Sequence, residues 1–209
     1  MNTLILASSG QFIVNNDIDR FLPKPLLRCS IASIITASKK VPDTGYVKRH
    51  RVAMQAKNIS YSEIDIAEKD EQTLAKELDG YDIIYVEGGN TFYLLQCVRE
   101  SGFKNVVSDL LARGVVYIGS SAGSYIACPS IVMATWSKRG FDQCGITDYT
   151  GMNLAPFLIK AHYVPDMLPS LKERAKDLHH PLRAITDEQA IIVQNDRIQL
   201  LGGGDEIVL

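Results

Sequence analysis

Five short runs of β-branched and aliphatic residues recur along the chain, each bounded by turn formers: Leu4 to Ala7, Ser30 to Thr36, Ile64 to Ile66, Asp82 to Val86 and Val115 to Ile118. Between several of them lie Val47 to Asn58, Glu71 to Leu78, Thr91 to Arg99 and Lys104 to Arg113, where apolar residues return every three or four positions with charges between. This alternation constrains the fold more than any other feature. Parallel neighbours in a sheet need crossover connections, and helices supply them. The expected architecture is a mostly parallel sheet covered by helices on both faces. Ile83-Ile84-Tyr85-Val86 and Val115-Val116-Tyr117-Ile118 lack polar alternation, as central strands buried on both faces do.

The last third changes character. Ser137 to Thr150 is polar and reads as a long loop at the sheet edge. A strand (Phe157 to Ala161), a helix (Leu168 to His179) and two strands (Ala190 to Val193, Ile198 to Leu201) follow, the last two joined by the hairpin signal Asn195-Asp196. No internal repeat and no linker divides the chain, so residues 1–209 are read as one α/β domain.

Composition narrows the function. Formal charge is −2, and no basic run exceeds Lys48-Arg49-His50-Arg51, so a nucleic-acid partner is not expected. No apolar stretch is long enough to span a membrane, and the first residues lack the basic start of a secretion signal. The four cysteines, Cys29, Cys97, Cys128 and Cys144, show neither CxxC pairing nor metal-ligand spacing, which fits a reducing cytoplasm. No Gly-x-Gly-x-x-Gly follows the first strand, so dinucleotide binding is not expected.

The sharpest local feature is Tyr117-Ile118-Gly119-Ser120-Ser121-Ala122-Gly123-Ser124, a buried strand running through Gly-x-Ser-x-Gly into a plausible helix. A nucleophile on such a turn needs small neighbours, since its backbone is strained and larger side chains would strike adjacent strands. Gly119 and Gly123 meet that demand and single out Ser121, although a turn that only packs, or binds a phosphate, gives the same pattern. A second glycine-rich junction, Val86-Glu87-Gly88-Gly89-Asn90-Thr91, falls at the same carboxyl edge of a parallel sheet. Gly88 and Gly89 would let an N–H approach a substrate and join the N–H of Ala122 as an oxyanion donor, while Asn90 or Thr91 would cap the next helix. A serine nucleophile needs a base. Of the four histidines, His50, His179 and His180 sit at helix ends, whereas His162 follows the apolar run Phe157 to Ala161 at a strand exit. It is either that base or a structural histidine.

Glu87-Gly88-Gly89-Asn90-Thr91-Phe92-Tyr93-Leu94-Leu95, Tyr117-Ile118-Gly119-Ser120-Ser121-Ala122-Gly123, Cys128-Pro129 and Ala161-His162-Tyr163 together resemble the peptidase E (aspartyl dipeptidase) and cyanophycinase family of serine peptidases. The resemblance implies a flavodoxin-like three-layer sandwich related to class I glutamine amidotransferases. It implies hydrolysis of short peptides, with N-terminal aspartate the preference in peptidase E, without a metal. No other cofactor is expected, and a monomer or homodimer is expected. Carried over by position, Ser121 is the nucleophile, His162 the general base and acid, and Gly89 with Ala122 the oxyanion donors. Asn90 and Thr91 line the substrate site.

The third catalytic residue departs from the family pattern, because the position where enteric peptidase E carries an aspartate holds Trp136, and an indole only donates hydrogen bonds. Asp142, Asp148, Asp166, Asp187 and Glu188 are the candidates to take its place. Ile185-Thr186-Asp187-Glu188 is similar to a late Asp-Glu segment in relatives, which favours Glu188. Lys138, Arg139 and Lys160 are candidates to hold a substrate carboxylate. Trp136 leaves a catalytically silent binding protein as the rival reading, and another amide or ester hydrolase as a second.

Overall fold

The computed structural model describes residues 2–136, 142–195 and 197–209. The chain opens with β1 (Thr3–Ala7), a single-turn helix α1 (Gln11–Asn15) and β2 (Ile31–Ile34). Helix α2 (Gly45–Ala56), β3 (Ser62–Ile64), α3 (Glu71–Glu77) and β4 (Ile83–Val86) follow. Next come the consecutive helices α4 (Thr91–Ser101) and α5 (Phe103–Ala112), broken at Gly102, whose φ of 70° suits a left-handed stop. They lead into β5 (Val116–Ser120) and the short helix α6 (Ala122–Ala127). The C-terminal part adds β6 (Leu158–Lys160), α7 (Leu168–Ala175), β7 (Leu182–Ala184), β8 (Ala190–Gln194), β9 (Arg197–Leu201) and β10 (Ile207–Val208).

The main sheet has the order β3-β2-β4-β5-β1-β8-β9. Its first five strands are parallel, and the β8–β9 hairpin runs antiparallel beside β1. Counted from β2, the parallel part follows the 2-1-3-4-5 order of flavodoxin-like folds, with the N-terminal strand taking the fifth place. Strands β4 and β5 are interior, as their unbroken apolar character requires.

Alternate residues along each strand serve opposite faces. Leu4, Leu6, Ile84, Val86 and Tyr117 pack with residues of α3, α4, α5 and α6. Ile5, Ala7, Ile83, Tyr85, Val116 and Ile118 pack with α1 and with Met54 of α2. The sheet is therefore the middle of three layers. A smaller sheet, β10-β7-β6, joins the α6 side through Phe157, Leu158, Ile159 and Leu182, and the Tyr125 hydroxyl accepts the Ala161 N–H at 3.2 Å.

Several boundaries differ from those expected of the sequence. Strand β3 ends at Ile64 rather than Ile66, because side chains take over the pairing there. Thr36 Oγ1 donates to Asp65 and accepts the Ile66 amide. Helix α7 stops at Ala175, short of His179, and Leu171 is its sole buried residue, while Leu178 beyond its end packs against the core without continuing the helix. The short elements α1, β7 and β10 carry too few residues to show a period. Residues 137–141 of the expected loop, and Asp196 of the hairpin signal, lie outside the described residues. Among the described residues, no helix is long and apolar enough to cross a membrane.

Candidate active site

The carboxyl ends of β4, β5 and β1 meet at Ser121. This residue joins β5 to α6 with φ 49° and ψ −106°, a conformation that costs a non-glycine residue about 1–3 kcal/mol. The neighbouring glycines are sterically required. A Cβ at Gly123 would lie 2.1 Å from the Val86 carbonyl oxygen, and one at Gly119 would lie 2.6 Å from the Gly123 carbonyl carbon. The strained turn is pinned by backbone and side-chain bonds. The Ser121 N–H donates to Ala7 O at 3.0 Å, Ser124 Oγ donates to the same oxygen at 2.7 Å, and the buried Tyr117 hydroxyl donates to Gly123 O at 2.6 Å.

His162 lies just past β6, also at a positive φ (58°). Its Nε2 is 2.9 Å from Ser121 Oγ and its Nδ1 is 2.6 Å from Asp187 Oδ1. Since a carboxylate only accepts, Nδ1 carries the proton and Nε2 presents a lone pair to the serine. The His162 backbone N–H donates to Ser8 Oγ at 2.7 Å, and Ser8 Oγ donates to Asp187 Oδ1 at 2.8 Å.

The carboxylate beside the histidine is thus Asp187, which corrects the expectation of Glu188. Residues 186–189 form a turn closed by Gln189 N–H to Thr186 O at 3.0 Å, so 187 and 188 occupy its two central positions and point different ways. Asp187 faces His162, and Glu188 is exposed with no hydrogen bond to His162 among the described residues. Three further carboxylates are engaged elsewhere or stand apart. Asp142 accepts the Cys144 amide, Asp148 pairs with Arg99 at 3.1 Å, and Asp166 is exposed on the single turn Pro165–Met167. Trp136 has the Arg174 guanidinium 5.3 Å over its ring.

The Gly88–Gly89 junction lies directly against the serine, for a Cβ on Gly88 would come within 3.2 Å of Ser121 Cβ. Gly89 has φ 151°, and a Cβ there would sit 2.2 Å from Ala37 O, so only glycine fits. The Tyr46 hydroxyl of α2 donates to Gly88 O at 3.0 Å. Burial, with Glu87 and Asp43 nearby, pushes the Tyr46 pKa up to about 12, which keeps it a phenol and a donor at neutral pH. Glu87 is itself buried and raised by desolvation, and it accepts the Ser33 hydroxyl at 2.7 Å.

Ala122 is the first residue of α6, so its N–H has no intrahelical acceptor. Asn90 is buried and caps α4, its Oδ1 accepting the amides of Phe92 and Tyr93 at 3.0 Å each, and Thr91 is buried beside it. Both adjoin the Gly88–Gly89 turn, and Asn90 takes the capping position foreseen for it or Thr91. Lys160 is buried and donates to Ala161 O at 2.7 Å, while Lys138 and Arg139 lie outside the described residues. Sequence reasoning missed Ser8 and Tyr46. No local pattern marks either, since their partners lie far along the chain.

Residues 4–201 match the model of Peptidase family S51. An uncharacterized peptidase of Pasteurella multocida (strain Pm70) is 30% identical over 199 residues, covering 94% of this chain and 95% of that protein. Peptidase E of Nostoc sp. (strain PCC 7120) is 29% identical over 171 residues, covering 81% of this chain and 66% of that one. A crystal structure of a peptidase E candidate from Listeria monocytogenes EGD-e superposes with a TM-score of 0.82 at 26% identity, over 98% of this chain and all of the other. With a family match running from the first strand to β9 and a peptidase relative aligned along nearly its whole length, the chain belongs to Peptidase family S51 and is a peptidase.

Proposed function

We propose that the chain is a serine exopeptidase or dipeptidase acting on short peptides, with Ser121 as nucleophile, His162 as base and Asp187 as the carboxylate that orients it. One observation carries the reading: the unbroken hydrogen-bond chain from Ser121 Oγ through both nitrogens of His162 to Asp187, at 2.9 and 2.6 Å.

In the forward step Ser121 Oγ attacks the scissile carbonyl carbon as its proton passes to His162 Nε2, and the carbonyl π pair moves onto oxygen. The N–H groups of Gly89 and Ala122 hold that oxyanion. His162 then gives the proton to the leaving amine as the C–N bond breaks, leaving an acyl ester on Ser121. Water repeats the sequence: His162 takes its proton, hydroxide oxygen bonds to the acyl carbon, and Ser121 leaves with the proton returned. Asp187 stays ionised throughout and stabilises the imidazolium. A rival reading as a silent binding protein rests on Trp136, and Asp187 supplies the carboxylate whose absence that reading needs.

A fluorophosphonate probe tests the proposal. Wild type should label, Ser121→Ala should not, and His162→Ala should label far more slowly. Asp187→Asn should cost on the order of 10³–10⁴-fold in kcat, while Glu188→Gln stays within about twofold of wild type. A substrate panel of dipeptides with N-terminal Asp, Ala or Lys, longer peptides, a folded protein and simple esters reads specificity, and aspartate preference requires the Asp dipeptides to lead. Labelling that survives Ser121→Ala refutes the mechanism.

A further inference from the structure

Beyond the three residues of that reading, on which this inference rests, we propose that Ser8 is a positioning residue that locks His162 and Asp187 together. Ser8 is the first residue after β1 and has no solvent exposure. Its hydroxyl makes two hydrogen bonds whose directions are settled by their partners. The His162 amide can only donate, so Ser8 Oγ accepts from it at 2.7 Å, and the Asp187 carboxylate can only accept, so Ser8 donates to Oδ1 at 2.8 Å. One oxygen therefore bridges the backbone of the base to the side chain of the acid.

Both partners are partly open to solvent. His162 sits at φ 58°, a conformation that a β-carbon-bearing residue adopts at a cost, and its side chain is 32% exposed. Asp187 lies in a turn with its side chain 60% exposed, where solvent weakens an ion pair or a hydrogen bond. Ser8, by contrast, is anchored in the sheet. Its own N–H donates to Gln189 O at 3.2 Å, and the preceding Ala7 pairs in register with Ser120 on one side and Ala190 on the other. Ala7 O in turn accepts the Ser121 N–H. The end of β1 is thus a common mount: Ala7 fixes the nucleophile's backbone, and Ser8 fixes the base and the acid relative to it. The second hydrogen bond on Oδ1 also keeps that oxygen directed at Nδ1–H, so the lone pair of Nε2 stays aimed at Ser121.

The test is a double-mutant cycle with Ser8→Ala and Asp187→Asn, read by kcat and KM on the best dipeptide and by the fluorophosphonate labelling rate, with thermal unfolding in parallel. Loss of one hydrogen bond to a charged group predicts a fall in kcat of roughly 10- to 100-fold, with KM within about twofold. On the Asp187→Asn background the same change should cost several-fold less, because the link from Ser8 to the carboxylate is already impaired and only its bond to the His162 amide remains to be lost. Ser8→Thr, which restores the hydroxyl, should recover most of the rate. If Ser8→Ala does not fold, Ser8→Cys, which fills the site but hydrogen-bonds weakly, is read in its place with the same expectations. A folded Ser8→Ala with wild-type kcat overturns the proposal, as does an equal loss on both backgrounds. The two failures are separable: slow Asp187→Asn with fast Ser8→Ala removes Ser8 alone, whereas fast Asp187→Asn removes both Ser8's role and the triad reading.

Discussion

His50 lies on the inner face of α2, its ring tilted against Tyr85 with centroids 5.4 Å apart and Gly10 alongside. It is 7% exposed, and neither ring nitrogen has a hydrogen-bond partner among the described residues. Burial lowers its pKa from 6.5 to about 4. The folded chain therefore binds this proton more weakly than the unfolded chain does. Above pH 6.5 the ring is neutral in both states and adds no pH dependence. As the pH falls from 6.5 towards about 4, the unfolded chain takes up a proton that the folded chain refuses, and stability drops. At ~1.4 kcal/mol per tenfold difference in proton affinity the complete loss is ~3 kcal/mol, of which ~2 kcal/mol has accrued by pH 5.

Urea unfolding of wild type and His50→Leu, each at pH 7.5 and pH 5, isolates this contribution. Carboxylates that titrate in the same interval are common to both chains. Glu87, which burial raises, works in the opposite direction, because the folded state holds its proton more tightly and gains as the pH falls, but it too is common to both. Wild type should lose ~2 kcal/mol more than His50→Leu on going to pH 5. Parallel losses in the two proteins would show that the ring protonates as freely in the fold as in water, and the burial argument would be wrong.

Two further substitutions test the geometry of the turns. Gly123→Ala would set a methyl 2.1 Å from a backbone oxygen of β4, an atom of an interior strand that cannot swing aside, so it should cost at least ~3 kcal/mol. For a chain of this size that is a fall in Tm of about 10 °C, and a drop of less than ~3 °C would contradict the contact. Tyr46→Phe removes the donor to Gly88 O, and in a trans peptide that carbonyl and the Gly89 N–H point in opposite directions, so the phenol holds the proposed oxyanion donor in place. The expected result is a fall in kcat of roughly tenfold at constant KM, and an unchanged kcat would show that the glycine turn keeps its orientation unaided.

What the sequence discloses about this site follows from the range of the interactions involved. The parallel layer was legible because each strand and helix carries its own period, and Ser121 because Gly119 and Gly123 are demanded by contacts within a few residues of it or by one neighbouring strand. His162 was narrowed by elimination among four histidines, and its place at the exit of β6 is where the ring now meets Ser121. The carboxylate beside His162 is legible to within one residue. A turn at Asp187-Glu188 is readable from the residues themselves, but which of its two side chains meets His162 depends on contacts such as that of Asp187 with Ser8, which leave no local pattern.

Ser8 itself is the limiting case. It is a serine among other serines, and its partners stand 154 and 179 positions away, so nothing near it in the chain distinguishes it. Its importance comes from topology: the first strand is threaded between β5 and β8, which brings its last residues beside both the elbow and the late turn. A fold that placed β1 at the sheet edge would keep the Gly-x-Ser-x-Gly turn and the histidine strand, yet leave no strand end beside both His162 and Asp187. The motif specifies where Ser121 is strained, and the strand order specifies what His162 and Asp187 stand against.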